Sequence, residues 1–420
     1  MSRAASQSQS SRMPPPNSET SPLRVLIAGG GVAALEAMLA LRALAGERVE
    51  VELLAPEPDF WYRPLAVAEP FGLGRVHRLE LARLAAAAGA HFSLDGLAVV
   101  DWERQVARTT HGAEVAYDAL LLAVGACPRP EVRGAFTFRG PADTEGFARL
   151  LEDAETGVIR RLAFAVPGGT SWPLPLYELA LLTASYLAAR GTDADLTFIT
   201  PEPAPLAIFA PEGSEAIGRL LAERGVAVRT GYYPVGFRDG RLELIPQGEL
   251  ETDCVVSLPR LTGPAIPGVP CDADGFIPTD ETGVVRGAEN VYAAGDATSF
   301  PIKQGGLAAQ QADAASRTIA ARAGADVAPT PFRAVLRGLL LTGGIPQFLR
   351  ADLAKWGQGA FDHDIDPLWW PPSKIAGRYL APFLAEHAGF VSLSGPPPRG
   401  IPVEIDLSAR LEARDPALVH

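Results

Sequence analysis

The residues best suited to chemistry lie in three short fragments spread over about 270 residues: Gly29-Gly30-Gly31-Val32-Ala33-Ala34, Leu121-Leu122-Ala123-Val124-Gly125 and Val291-Tyr292-Ala293-Ala294-Gly295-Asp296. The first follows the apolar run Val25-Leu26-Ile27-Ala28 and opens onto Leu35-Glu36-Ala37-Met38-Leu39-Ala40-Leu41, a strand-turn-helix setting suited to a dinucleotide's pyrophosphate. Gly29 permits a tight bend, Gly31 lets backbone come close to phosphate, and Ala34 keeps the helix near the strand. Free amides at the helix start then face the anion.

A second strand over Val49 to Leu54 should end near a carboxylate for the adenosine ribose, about 20 residues beyond the glycines. Glu57 is the candidate; the competing reading is a loop charge after Ala55-Pro56, while Glu52 belongs to a solvated strand face. With the two later fragments following in this order, the chain reads as a binding site for flavin adenine dinucleotide (FAD). Cys127 stands just past the second fragment, where a thiol could form a transient adduct or serve as a small buried hydrophobe.

Composition narrows the function further. A net charge of -12 argues against nucleic acid as a partner, because phosphate contacts need a concentrated basic surface. Cys127, Cys254 and Cys271 show no CxxC spacing, so neither a disulfide framework nor a metal site is expected, and a reducing, cytoplasmic compartment is. No apolar run approaches the roughly 20 residues of a membrane span, which leaves room for peripheral membrane contact only. The chain has only three lysines, Lys303, Lys355 and Lys374, so Lys303 and Lys374 stand out in Pro/Gly-rich segments where arginine carries almost all other positive charge.

The elements that must position these residues alternate between strand and helix patterns from Leu23 onward, which predicts parallel sheets covered by helices. Residues 1–22, rich in Ser and Pro, read as a disordered tail. An FAD-binding domain is expected over 23–145 and 270–326, interrupted by a second nucleotide-type domain over 146–269, with a C-terminal domain over 327–400 and a tail over 401–420. Within them the pattern predicts a helix over Leu79 to Ala88, hairpin-like structure from His91 to Tyr117, a helix from Leu176 to Arg190, a strand over Val335 to Leu341 and a helix over Arg378 to His387. The loop Pro167-Gly168-Gly169-Thr170-Ser171-Trp172-Pro173-Leu174-Pro175 sits where a nicotinamide-nucleotide turn would place small residues, and its prolines remove amide donors. Binding of NAD(P)H there is therefore in doubt.

With these pieces placed, the chain resembles the FAD-dependent pyridine nucleotide-disulfide oxidoreductase superfamily, in the branch of type II NADH dehydrogenases and sulfide:quinone oxidoreductases. The resemblance rests on the glycine turn, Tyr117-Asp118-Ala119-Leu120 through Gly125, and Thr282 through Asp296. It implies an α/β fold of two Rossmann-like domains of three-layer ββα type, the second inserted into the first, plus a C-terminal domain. It further implies Asp296, preceded by Gly295, as the ribityl ligand, and Lys303, Gln304, Gly306, Leu307 and Ala308 beside the flavin. Ala123, Val124 and Gly125 follow the flavin-contacting strand, and Arg63 falls in Phe60-Trp61-Tyr62-Arg63-Pro64-Leu65, which resembles a flavin-bordering segment or a packed loop. Pro173-Leu174-Pro175-Leu176-Tyr177-Glu178 resembles the sulfide-oxidising pattern, yet the cysteine pair of that branch is missing.

The implied activity is transfer of two electrons from NAD(P)H or a sulfur donor through FAD to a quinone or other acceptor; a non-catalytic flavin-binding protein is the competing class. The C-terminal stretch Trp369 to Leu380 resembles the region that covers the flavin or receives quinone, and the helix that follows puts Tyr379, Leu380, Phe383 and Leu384 on one face, suited to packing against the sheet, to docking on a membrane or to closing a homodimer.

Overall fold

The computed structural model describes residues 21–353, 361–369 and 371–387. The expected tails, apart from residues 21 and 22, and the last part of the C-terminal region lie outside them. Leu23–Ala28 is buried from Val25 onward, as a central parallel strand must be. The chain then turns through Gly29 into helix α1 (Val32–Ala45). Five strands form the first sheet in the order Val291–Ala293, Ala119–Leu122, Leu23–Ala28, Val49–Ala55, His91–Leu94, all parallel.

Alternation of side chains across the strands sorts the core into two faces. Val25 and Ile27 pack against α1, whereas Leu26 and Ala28 pack against Val100 and Ala107 of an antiparallel meander, Leu97–Asp101, Val106–Thr109 and Glu114–Ala116. The sequence predicted hairpin-like structure from His91; instead His91–Leu94 extends the parallel sheet beside Val49–Ala55, and only the later part is antiparallel. Helix α2 (Leu81–Ala87) is shorter than predicted because Arg78–Glu80 pairs as a strand with Asp59–Trp61.

The same layering recurs in the second sheet, whose strands Phe136–Thr137, Cys254–Ser257, Arg161–Ala165, Asp195–Thr200 and Val226–Thr230 are again all parallel. In sequence they all fall between Ala119–Leu122 and Val291–Ala293, so the second unit interrupts the first. Helices α3 (Thr144–Glu155), α4 (Leu174–Arg190) and α5 (Ala210–Glu223) contribute to the core on one face. Leu242 and Leu244 from a second meander cover Ala163, Ala165 and Ile199 on the other. Two Rossmann-like units of three layers each are thus nested in one chain.

Helix α6 (Gly305–Arg322) returns to the first unit and packs along α1. An antiparallel sheet of Val335–Leu340, Gln347–Asp352 and Phe361–Asp364 follows, and then helix α7 (Leu380–His387). The sequence predicted α7 from Arg378; it begins at Leu380, where the Glu36 carboxylate accepts hydrogen bonds from the Tyr379 and Leu380 amides at 2.9 and 2.7 Å. Leu380 and Leu384 are buried against the α1 side of the core.

Candidate functional site

The three sequence fragments converge on Gly295. A Cβ built on this residue, at φ 80°, would lie 3.1 Å from the Ala33 Cβ and 3.4 Å from the Ala308 Cβ, so the first turns of α1 and α6 flank it on two sides. Each helix start carries amides with no intrahelical acceptor, and two such ends make a strongly anion-seeking wall. The Gly295 amide donates to Gln311 Oε1 at 2.7 Å, and Thr298 Oγ1 donates to the Gly295 carbonyl at 2.9 Å, which fixes the turn.

Gly29 and Gly31 meet different constraints. At φ 127°, a Cβ on Gly29 would stand 2.2 Å from the Ala123 carbonyl oxygen, so only glycine lets the adjacent strands close. Gly31 has ordinary extended backbone, and a Cβ there would meet nothing within 4 Å. That open space borders the start of α1, where a pyrophosphate would come within hydrogen-bond reach of the amides. Ala33 and Ala34 are buried in the core, Ala123 is buried, and Val124 is exposed. Gly125 follows at φ 77°.

Asp296 follows the turn directly. It is partly accessible, and among the described residues no hydrogen bond stabilises its carboxylate. Burial pushes its pKa up, and Lys303 and then Arg63 pull it back through space. Lys303 is buried, donates to the Thr298 carbonyl, and holds its ammonium 3.9 Å from the Phe276 ring centre. Burial lowers its pKa to about 8, opposed by Asp296 and Asp272. Arg63 is exposed at the end of the Asp59–Trp61 strand. A partly accessible carboxylate with unused acceptors, beside a cation and two helix starts, fits a ligand with hydroxyl donors at one place and negative charge nearby.

Other candidates are placed less centrally. The Gln304 carboxamide is committed at both ends, accepting from the Leu307 amide and donating to the Arg337 carbonyl, each at 2.9 Å. It is the N-cap of α6, and it leaves the Gly305 and Gly306 amides for a ligand. Cys127 opens a strand paired with Arg260–Thr262; it, Cys254 and Cys271 are all unbridged, so no redox disulfide is formed. Glu57 lies exposed in the loop after Val49–Ala55.

The second unit carries a carboxylate that sequence reasoning missed, Glu202, two residues past its strand as Glu57 is past its own. Tyr177 Oη and Thr200 Oγ1 already donate to Glu202 Oε2 at 2.7 and 2.8 Å. At the start of α4 the Leu176 amide donates back to the Pro173 carbonyl, and Pro175 has no amide hydrogen. This helix start therefore fits a pyrophosphate poorly. Between the two units, a cleft of about 670 Å³ is lined by residues including Trp61, Arg75, His77, Arg78 and Thr144, and it lies one residue along the chain from Tyr62.

The family model for pyridine nucleotide-disulphide oxidoreductases matches residues 23–318, which span both sheets, the glycine turn and Asp296. The chain belongs to this family. Proteins of the family use FAD and NAD(P)H, and the FAD assignment agrees with the open space at Gly31 and the uncommitted carboxylate of Asp296. Putidaredoxin reductase of Pseudomonas putida is 29% identical over 225 residues, covering 51% of this chain; the match spans only 50% of that reductase. The fold is similar to that of sulfide:quinone oxidoreductase from Aquifex aeolicus, with a TM-score of 0.75 at 18% identity, covering 81% of this chain and 86% of that one. A ferredoxin reductase of Rhodopseudomonas palustris gives a TM-score of 0.61 at 19% identity, covering 78% and 81%. Among the described residues no helix is long and apolar enough to cross a membrane, and no cluster of His, Cys, Asp and Glu could hold a metal ion.

Proposed function

We propose that this family member transfers two electrons from a small-molecule donor through FAD to a quinone or a similar acceptor. FAD, when bound, supplies the two-electron chemistry. The observation that carries the reading is the meeting of α1, Gly295-Asp296 and α6 at one place. In this reading the Val32, Ala33 and Ala34 amides would hold the pyrophosphate, Asp296 would accept hydrogen bonds from the ribityl hydroxyls, and the Gly305 and Gly306 amides would be donors toward the flavin. Lys303 adds a positive charge where negative charge develops on reduction, which favours electron acceptance. Glu57 is the proposed ribose ligand, and Arg63 borders the ring.

The donor is the finer question. The proline-interrupted start of α4 and the pre-engaged Glu202 favour a donor other than NAD(P)H, while the lone Cys127 argues against a cysteine-pair relay for sulfide. Anaerobic titration of the FAD-loaded protein with NADH, NADPH and sulfide, followed by a soluble quinone, tests the reading. Bleaching of the flavin band by one donor and its recovery on adding quinone are expected. If these three fail, a wider screen of small-molecule donors and quinones follows, and no turnover with any of them, with FAD fully bound, refutes the enzymatic reading and leaves the non-catalytic flavin-binding protein.

A further inference from the structure

The cleft between the two units is built by one excursion of the chain. Asp59–Trp61 and Arg78–Glu80 pair as an antiparallel hairpin in which Trp61 stands opposite Arg78, and this register lays the Arg78 guanidinium over the Trp61 ring, 3.8 Å from its centre. Between these strands, Ala66, Val67, Ala68 and Val76 are buried in the core of the second unit, and Phe71 packs edge-on against Phe147 of α3 with ring centres 5.8 Å apart. One wall of the cleft thus comes from the hairpin and the other from Pro141 and Thr144 at the start of α3, and close packing fixes the gap between them. Its volume of about 670 Å³ is that of a small-molecule site.

The charge in this cleft is unbalanced. Arg75, His77 and Arg78 line it against a single carboxylate, Glu69, whose Oε1 already accepts from the Val76 amide at 3.3 Å. Among the described residues neither Arg75 nor Arg78 has an ion-pair partner, whereas Arg24, Arg139 and Arg161 each hold a carboxylate oxygen, at 2.9, 2.7 and 2.9 Å. Carboxylates are plentiful in a chain of net charge -12, so two unpaired guanidiniums in one cleft call for an anion from outside. The opposite wall agrees: Asp143, at the N-cap position of α3, turns its carboxylate to the Arg139 amide and guanidinium at 2.8 and 2.7 Å and leaves the first amides of the helix without a side-chain acceptor. A guanidinium stacked on an indole keeps its N–H edge for bidentate binding of an oxyanion. Trp61, Val76 and Pro141 supply apolar contact beside it.

We propose that this cleft is a second binding site, for a small aromatic oxyanion: a flat ring against Trp61, Val76 and Pro141, and a carboxylate or phosphate on Arg75 and Arg78. The site does not rest on the flavin reading, which assigns none of these residues to the cofactor. Because one wall belongs to each unit, the bound anion bridges the hairpin of the first and the α3 start of the second.

The test is calorimetric titration of the full-length protein, with FAD in excess so that the glycine turn is not the site measured, against benzoate, phenyl phosphate, benzamide and inorganic phosphate. At least one of the two aromatic anions is expected to bind once per chain with a Kd below about 1 mM, the tighter of them identifying the charged group, and benzamide and inorganic phosphate at least about tenfold more weakly. The double variant Arg75→Gln/Arg78→Gln changes two exposed side chains and should lose about tenfold or more in affinity at an unchanged melting temperature. No binding of either aromatic anion, equal binding of benzamide or inorganic phosphate, or undiminished binding by the folded variant overturns the proposal. If the variant fails to fold, phenylglyoxal labelling of the wild type decides: the bound anion is expected to protect Arg75 and Arg78 from modification, and labelling of both at the unliganded rate overturns the site.

Discussion

Replacing Gly31 by alanine separates ligand binding from folding. The backbone at Gly31 is extended, with φ -94° and ψ -167°, and an added Cβ has no atom within 4 Å, so the apoprotein accommodates the methyl. Removing a glycine's unfolded-state freedom contributes about 0.4–1 kcal/mol of stability, and an N-cap alanine loses a similar amount, so the two offset to within about 1 kcal/mol. The methyl enters the space that a pyrophosphate would fill next to the α1 amides. Displacing the phosphate from one charge-assisted hydrogen bond costs about 1.5–3 kcal/mol, roughly 10- to 150-fold in affinity. Urea unfolding of the apoprotein and fluorescence titration with FAD measure the two effects separately. An unchanged FAD affinity in Gly31→Ala would refute the placement of the pyrophosphate, and Gly29→Ala provides the contrast: its Cβ would lie 2.2 Å from a backbone oxygen, so this variant should not fold.

Asp296→Ala should weaken FAD binding by about 1.5–3 kcal/mol through loss of a charged acceptor, read by the rate of flavin loss on gel filtration; unchanged occupancy contradicts its role. Because burial lowers the Lys303 pKa to about 8, its charge is present below pH 8 and lost above it. The flavin midpoint potential should therefore fall more steeply above pH 8, and Lys303→Met should lack this inflection. Glu36 is pushed up to about 7 by burial, against the hydrogen bonds from Tyr379 and Leu380. The folded state thus holds a proton between about pH 4.5 and 7 that the unfolded state has released. This contribution to stability is full below pH 4.5 and is lost as pH rises to 7, about 3 kcal/mol in all. Melting curves of wild type and Glu36→Gln should diverge across that window; parallel curves would show that Glu36 is not buried as described.

Local spacing carried the first unit well. The glycine turn and the parallel strands around it obey short-range rules, and Gly29 is placed by backbone geometry that a side chain cannot satisfy. Elements set by partners far along the chain were less visible. His91–Leu94 joins a parallel edge only because Val49–Ala55 is there to pair with it, and α7 starts at Leu380 only because Glu36, 344 residues away, receives its amides. Glu36 itself looks like an ordinary helical glutamate after the glycine turn, and no spacing rule marks it as buried. Glu178 and Lys374, which form a buried ion pair, likewise stand 196 residues apart, and only the scarcity of lysine in the sequence marks Lys374. Glu202 had a usable signal, its position just past a strand in the manner of Glu57, but only Tyr177 and Thr200 reveal that its carboxylate is already engaged.

The most direct test of the account is the stoichiometry of FAD in the reconstituted protein, measured from the flavin absorbance released on denaturation. One FAD per chain in wild type, with markedly less retained by Gly31→Ala and Asp296→Ala, is the predicted result. A wild-type chain that retains no flavin after incubation with excess FAD would contradict it.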